Sequence, residues 1–459
     1  MFYAFFGGFY PGEGFFYCIK ISRNIDPCCG TGNFLLQLPE NIKIEYIYGR
    51  DIDLHSVKIA RLNLALRCNV SSTETIYEHI VQQDFLAVEN GEKYDMIIGN
   101  PPWGYDFTEE EKTYLRAAYS CMRGKNAESY DAFIEQSLKH LNKKGMVSFV
   151  LPEAILNVRT HRPVRALILE KADITCLEYL GNVFDQVQCP CIILQLDRKE
   201  GINREPEIKV KSSERSFVIS TGRNVCAECF SFTTTDDEYR ILNKLIGGSD
   251  KAFLLDNADF ALGIVTGDNK KYITHIADEV NEPVLKGSDI LKYRVRETDN
   301  YISFTPERFQ QVAPEEYYRA PEKLLYRFIC NQPVFAYDDR QTLSLNSCNV
   351  VIPRFENLHI KYIMAILNSR IAQFVFEKSF NSIKILRSHI ERMPIPILDA
   401  ESQTVFASLA DELMACSEKE DISRIYDEID VLAADAFGLD CSEYDIIKKS
   451  VEGRNGFLY

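Results

Sequence analysis

The chain has no run of about eighteen or more apolar residues, so no membrane span is expected. Positive charge is in deficit: 52 Lys and Arg stand against 67 Asp and Glu, a net charge of −15. That excludes a uniformly basic coat for nucleic acid but not a local basic cleft, because phosphates respond to nearby charge. The apolar start, Met1–Phe16, lacks the basic front and small-residue cleavage site of a signal peptide, so a cytoplasmic protein is expected. Fourteen cysteines are present, several within strand-like apolar runs (Cys176, Cys189, Cys191), a pattern of reduced thiols packing as small hydrophobes. Cys226 and Cys229 form a CxxC with no second pair at zinc-ribbon spacing, which reads as binding nothing. No metal cluster, internal repeat or low-complexity tract is visible.

What is there is an alternation. From residue 25 to 198, apolar runs alternate with helical patterns, as in a mostly parallel sheet covered by helices. The expected strands end at Ile25 and span Glu45–Arg50, Ile76–Gln82, Tyr94–Gly99, Met146–Leu151, Thr175–Leu180 and Cys191–Leu196. Expected helices are Asp53–Arg67, with Val57, Ile59, Ala60 and Leu64 as its apolar residues, and Tyr130–Leu141. Asp197–Lys211, with Gly201 and Pro206, reads as a linker. Beyond it short strands mix with helical pieces such as Glu238–Ile246 and His359–Phe376, and Glu401–Val451 is helical and acidic.

Chemistry belongs at the carboxyl ends of strands in such a sheet. Asn100-Pro101-Pro102-Trp103 follows the Tyr94–Gly99 strand directly. The prolines remove donors and fix the chain, leaving the Pro101 carbonyl and the Asn100 side-chain oxygen as acceptors beside an aromatic plate. Two acceptors and a stacking surface suit a planar amine: both N–H groups are bonded and the nitrogen lone pair is left for attack. Asp26-Pro27-Cys28-Cys29-Gly30-Thr31-Gly32-Asn33-Phe34 opens a helix after the first strand, where glycines allow close backbone approach to a ligand. It is neither GxGxxG nor a Walker loop, so phosphate binding is not implied. Asp51 ends the second strand, where an acidic residue suits ribose hydroxyls. Asp84-Phe85 ends the third, placed to bracket a purine.

In this order the segments resemble the adenine-N6 DNA methyltransferases of TaqI type. The likeness continues through Tyr130-Asp131-Ala132-Phe133, Gly145–Pro152 and Gly181-Asn182-Val183-Phe184-Asp185. It then runs on through Gly263-Ile264-Val265-Thr266-Gly267-Asp268-Asn269-Lys270, Leu285–Ile290, Lys323–Arg327, Leu367-Asn368-Ser369 and Met393–Pro396. It covers roughly residues 25 to 440. The resemblance implies a Rossmann-like α/β S-adenosylmethionine-dependent methyltransferase domain over 1–200. A mixed α+β DNA target-recognition domain over 212–396 and C-terminal helices over 397–459 would follow.

Residue by residue, it implies that Asp26, Pro27, Cys28, Gly30 and Gly32 face the methionine part of the cofactor. Asp51 would take the ribose hydroxyls, while Ile52, Asp84 and Phe85 contact the adenine. Asn100, Pro101 and Pro102 would hold the target amine, Trp103 and Phe184 would sandwich a flipped base, and Lys270 would contact DNA. Trp103 stands where the family usually has Tyr or Phe, and Asp185 replaces its usual proline. The implied protein is a monomer acting on duplex DNA, with a restriction endonuclease in trans left open. A catalytically impaired specificity component, or a methyltransferase for RNA or protein glutamine, is the alternative. Residues 1–24 depart most from the family: Gly7-Gly8-Phe9-Tyr10-Pro11 is a faint echo, and Ser22-Arg23-Asn24 is polar where a buried strand is expected. They read as a truncated or frame-shifted start, from which weaker folding and weaker cofactor binding are expected.

Overall fold

Parallel strands buried on both faces need near-continuous apolar runs, and this chain supplies them in its first half. The computed structural model describes residues 23–70, 72–88, 91–124, 128–183, 189–199, 207–220, 223, 225–380, 382–453, 457 and 458. Its strands β1 (Asn24–Asp26), β2 (Ile47–Asp51), β3 (Ile80–Gln82), β4 (Tyr94–Gly99), β5 (Leu141–Pro152), β6 (Ala172–Gly181), β7 (Cys191–Arg198), β8 (Ile208–Lys211) and β9 (Ser216–Ile219) form one sheet. Their order is β3-β2-β1-β4-β5-β7-β6-β8-β9. Pairing is parallel from β3 through β5, and β7 runs antiparallel between β5 and β6. The expected α/β architecture is present. Strand order reverses between β1 and β4, which opens a crevice at their carboxyl ends.

Local signals set the covering helices. Asp53 caps Leu54–Cys68 by accepting from the N–H groups of His55 and Ser56, and Asn69 ends it in the left-handed conformation. Val57, Ala60 and Leu64 are buried, whereas Ile59 faces solvent, 47% exposed. Ser129–Lys139 is enclosed along most of its length.

Three expectations are corrected. The segment expected as strand from Ile76 is the helix Glu74–His79, and only Ile80–Gln82 pairs with β2. The expected linker holds β8, which joins the sheet beside β6, so the first compact unit runs to Asp236 rather than 200. Asn24, polar in mid-sheet, is tolerated because its amide donates to the Tyr46 carbonyl at 3.1 Å; Arg23 lies over the rings of Tyr48 and Tyr94. Residues 1–22 lie outside the described residues.

The second unit, Asp237–Tyr459, holds a four-stranded antiparallel sheet, Ala258–Ala261, Cys348–Pro353, Lys323–Arg327 and Phe335–Asp338 in that order. A smaller mixed sheet and the helices Ile360–Asn368 and Arg370–Phe380 complete it. The helices Ala400–Ala415, Lys419–Ala436 and Cys441–Ser450 share the same core through Phe406, Ala410, Ile425 and Ile447, so they are not a separate segment. Asn368 explains one family-like landmark: its side chain accepts from the Phe335 N–H and donates to the Phe335 carbonyl, both at 2.9 Å. It pairs the edge strand as another strand residue would. No helix among the described residues is long and apolar enough to cross a membrane.

Candidate active site

The ends of β1, β2 and β4 converge at the crevice. Asp26, ending β1, is 1% exposed. Its Oδ1 accepts the Cys28 N–H at 3.0 Å, while Oδ2 is buried without a hydrogen-bond partner. Burial pushes this carboxyl up to about 7. An orphaned buried carboxylate oxygen is costly, and a cationic donor would satisfy it. The neighbouring Gly99 ends β4; a Cβ there would stand 2.6 Å from Asp26 Oδ1, so only glycine permits this approach.

The turn after Asp26 bends through left-handed glycines, Gly30 at φ +51° and Gly32 at φ +88°. A Cβ on Gly32 would touch Ala60, whereas Gly30 faces open space. Pro27 is buried and Cys28 half-buried beside them. Asp51, ending β2, ties the turn down: Oδ2 accepts the Gly30 N–H at 2.8 Å and Oδ1 the Asp53 N–H at 2.9 Å. Each oxygen retains a lone pair for a further donor. Ile52 follows, an apolar side chain 63% exposed.

Asp84 is exposed and accepts the Leu86 N–H at 2.9 Å. Phe85 departs from expectation. It is 1% exposed and packs on Phe133 and His140, with ring centroids 6.0 and 5.4 Å away. A ring enclosed by the core has no face left for a purine; it supports the site from below.

Asn100-Pro101-Pro102-Trp103 leaves β4 with Pro101 buried and Asn100 and Trp103 half-buried. The Trp103 indole N–H donates to Asn100 Oδ1 at 3.3 Å, and its ring lies against a cluster of Val150, Cys191 and Ile193. Two residues that the sequence reading passed over brace this loop. Ser129 Oγ donates to the Pro102 carbonyl, and Glu128 accepts the Gly104 N–H at 3.2 Å. Behind them His161 stacks on Tyr130, bonds its hydroxyl at 2.8 Å and meets the buried Asp131 carboxylate at 3.0 Å. Tyr130 and Asp131 thus fasten to His161 the helix whose first residue, Ser129, holds the loop. A serine just before Tyr130-Asp131-Ala132-Phe133 was the available signal; His161 had none.

Phe184 lies outside the described residues. Lys270 belongs to the second unit, exposed on the helix Asn269–Tyr272 that Asp268 caps. Arg294 of the same unit donates to the carbonyls of Cys416 and Leu458. No group of three or more His, Cys, Asp or Glu among the described residues is placed to hold a metal ion.

Comparisons with known proteins agree with this layout. Residues 45–184 match the Eco57I restriction-modification methylase family, and residues 282–395 match the TaqI-like C-terminal specificity domain. The Type II methyltransferase M.VspI of Vibrio sp. (strain 343) is 31% identical over 281 residues, 58% of this chain and 64% of that protein. Type II methyltransferase M.BanIII of Aneurinibacillus aneurinilyticus is 20% identical over 92% of each. The Type IIL restriction-modification enzyme MmeI, solved in complex with DNA, shares the fold: TM-score 0.52, 11% identity, 93% of this chain and 73% of that one. The chain spans 64%, 35% and 41% of three of the curated relatives it matches. Residues 45–184 and 282–395 thus each resemble one part of a restriction-modification methyltransferase, and the cofactor that goes with such a methylase core is S-adenosylmethionine.

Proposed function

We propose that this chain, a restriction-modification methylase joined to a specificity domain, methylates the N6 amine of an adenine flipped out of duplex DNA at a specific site. The observation that carries the reading is the side-by-side exit of two segments at the switch point. One is the Asp26–Gly32 turn with its orphaned carboxylate oxygen; the other is Asn100–Trp103, held against it through Gly99.

Those residues fit the cofactor. Asp26 Oδ2 takes its ammonium, the open side of Gly30 leaves room for its methionine part, and Asp51 uses its remaining lone pairs for ribose hydroxyls. Ile52 and Asp84 flank the adenine. The bound cofactor supplies a methyl group already activated on a sulfonium, so the protein's task is positioning and polarisation rather than proton abstraction. Asn100 Oδ1 and the Pro101 carbonyl accept the two N–H groups of the target amine and aim its lone pair. Trp103 holds the base by stacking. Such a contact returns about 1–3 kcal/mol against a flipping cost of a few kcal/mol. Ser129 and Glu128 keep the loop from drifting.

The second unit reads the DNA site, with exposed Lys270 and Lys271 on the phosphate backbone. The reading rests on its match to the specificity-domain family and on MmeI, a similarly folded enzyme solved with DNA.

The test is to sequence genomic DNA from cells expressing the protein and digest it to nucleosides. N6-methyladenine at one recurrent sequence, lost in Asn100→Ala, is the expected result. Unmodified DNA, or methylated cytosine instead, would overturn the assignment.

A further inference from the structure

The CxxC that looked idle in the sequence is built into a turn. Cys226 and Cys229 face one another as antiparallel bridge partners with Ala227 and Glu228 between them, and both cysteines are exposed. Directly opposed residues in an antiparallel pair project their side chains to the same side, with Cα atoms about 4.5–5.5 Å apart. That spacing lies within the range a disulfide spans, about 4.4–6.8 Å.

The turn is gripped from beneath. Arg165, 0% exposed, donates to the Ala227 and Glu228 carbonyls at 2.7 and 2.9 Å and to those of Ile155 and Val158 at 2.7 and 2.9 Å. Phe230 then donates its N–H to the Leu156 carbonyl at 2.7 Å. One guanidinium thus fastens the cysteine turn to the segment that follows β5.

We propose that Cys226 and Cys229 are a dithiol site that closes to an intramolecular disulfide by exchange with a low-molecular-weight disulfide such as oxidised glutathione. The Cys226 thiolate attacks one glutathione sulfur; the glutathione S–S bond breaks, and one glutathione thiolate leaves. Cys229, after losing its proton, attacks Cys226 Sγ and expels the second glutathione thiolate. Two protein thiols lose two electrons and two protons, and one glutathione disulfide becomes two thiols. The two cysteines are held as opposed partners of one turn, so ring closure outruns a lasting mixed disulfide.

The experiment equilibrates the full chain in reduced and oxidised glutathione mixtures, quenches it with acid, and maps peptides by mass. Expected is a Cys226–Cys229 bond under oxidising ratios, with a glutathione adduct stranded on Cys226 in Cys229→Ser. Arg165→Lys, with fewer donors for the same carbonyls, should lower the closure equilibrium about fivefold, the factor for one net hydrogen bond. Lasting glutathione adducts on the unaltered pair, or two free thiols while exposed Cys441 reacts, would overturn the proposal. So would a disulfide linking either cysteine to another partner.

Discussion

The indole of Trp103 donates its N–H to Oδ1 of Asn100 at 3.3 Å, so the side chain proposed to stack on the base also occupies the oxygen proposed to receive the target amine. That oxygen has a second lone pair, so a base reaching Asn100 either shares it with the indole or takes the place of that contact. The long distance makes the exchange cheap.

Trp103→Phe keeps a stacking ring and frees the oxygen, so turnover on a specific DNA should stay within a few-fold of the unaltered protein. Trp103→Ala should lower kcat/KM by about 10–100-fold, the equivalent of about 1–3 kcal/mol of lost stacking. Fluorescence of 2-aminopurine at the target position should fall in step. Equal loss in both variants would mean that the indole N–H, not the ring, does the work.

Asp26 gives a pH dependence with a definite sign. Its carboxyl is pushed up to about 7 in the fold against an ordinary 3.8, so the folded state holds more protons between these values. Without ligand, Asp26 favours the fold below the ordinary carboxyl range, and this contribution is lost as pH rises to about 7. A bound ammonium reverses the preference. Cofactor binding at pH 6 should release a proton, read by calorimetry in buffers of different ionisation enthalpy, and should weaken as pH falls from 8 to 6. Flat affinity without proton release would dissociate Asp26 from the ammonium.

Gly99→Ala should act on the cofactor site although glycine contacts nothing chemically. Its Cβ would stand 2.6 Å from Asp26 Oδ1, and the carboxylate must move or the strands part. The expected cost is about 1–3 kcal/mol of stability, together with weaker S-adenosylmethionine binding. Binding unchanged at a lowered Tm would show that the carboxylate position is immaterial.

In the second unit the buried Lys323 ammonium bonds the Asp338 carboxylate and donates to the Tyr318 carbonyl at 2.7 Å. Removing one partner of a buried pair leaves a stranded charge, at about 3–5 kcal/mol. Asp338→Asn should therefore speed amide hydrogen exchange in Lys323–Arg327 and Phe335–Asp338 while leaving β4 and β5 protected. Uniform exchange across both units would contradict independent cores.

Proteins cut after Asp236 should lose site-selective DNA binding, because β8 and β9 belong to the first unit and the specificity-domain match lies wholly beyond it. Gel-shift competition between specific and random duplexes checks this; retained selectivity would place recognition in residues before Asp237.

Sequence by itself determined the parts whose cause is local. The apolar run Tyr94–Gly99 is a strand as expected, Asp53 caps the helix it precedes, and Asn100–Trp103 and the glycine turn lie at strand ends. Burial periodicity, caps and turn residues act within a few positions, so they are written in the chain. Tertiary structure decided what depends on partners distant in the chain. Phe85 looked ready to stack on a ligand until Phe133 and His140 enclosed it, and Asn24 looked misplaced until the Tyr46 carbonyl accepted its amide. Ile76 has the composition of a strand, but only Ile80–Gln82 finds β2 as its neighbour. The orphaned oxygen of Asp26 arises because β1 pairs beside β4 and Gly99 lets the carboxylate approach. Burial of a charge is a property of the packed neighbourhood, and no spacing in the sequence records it.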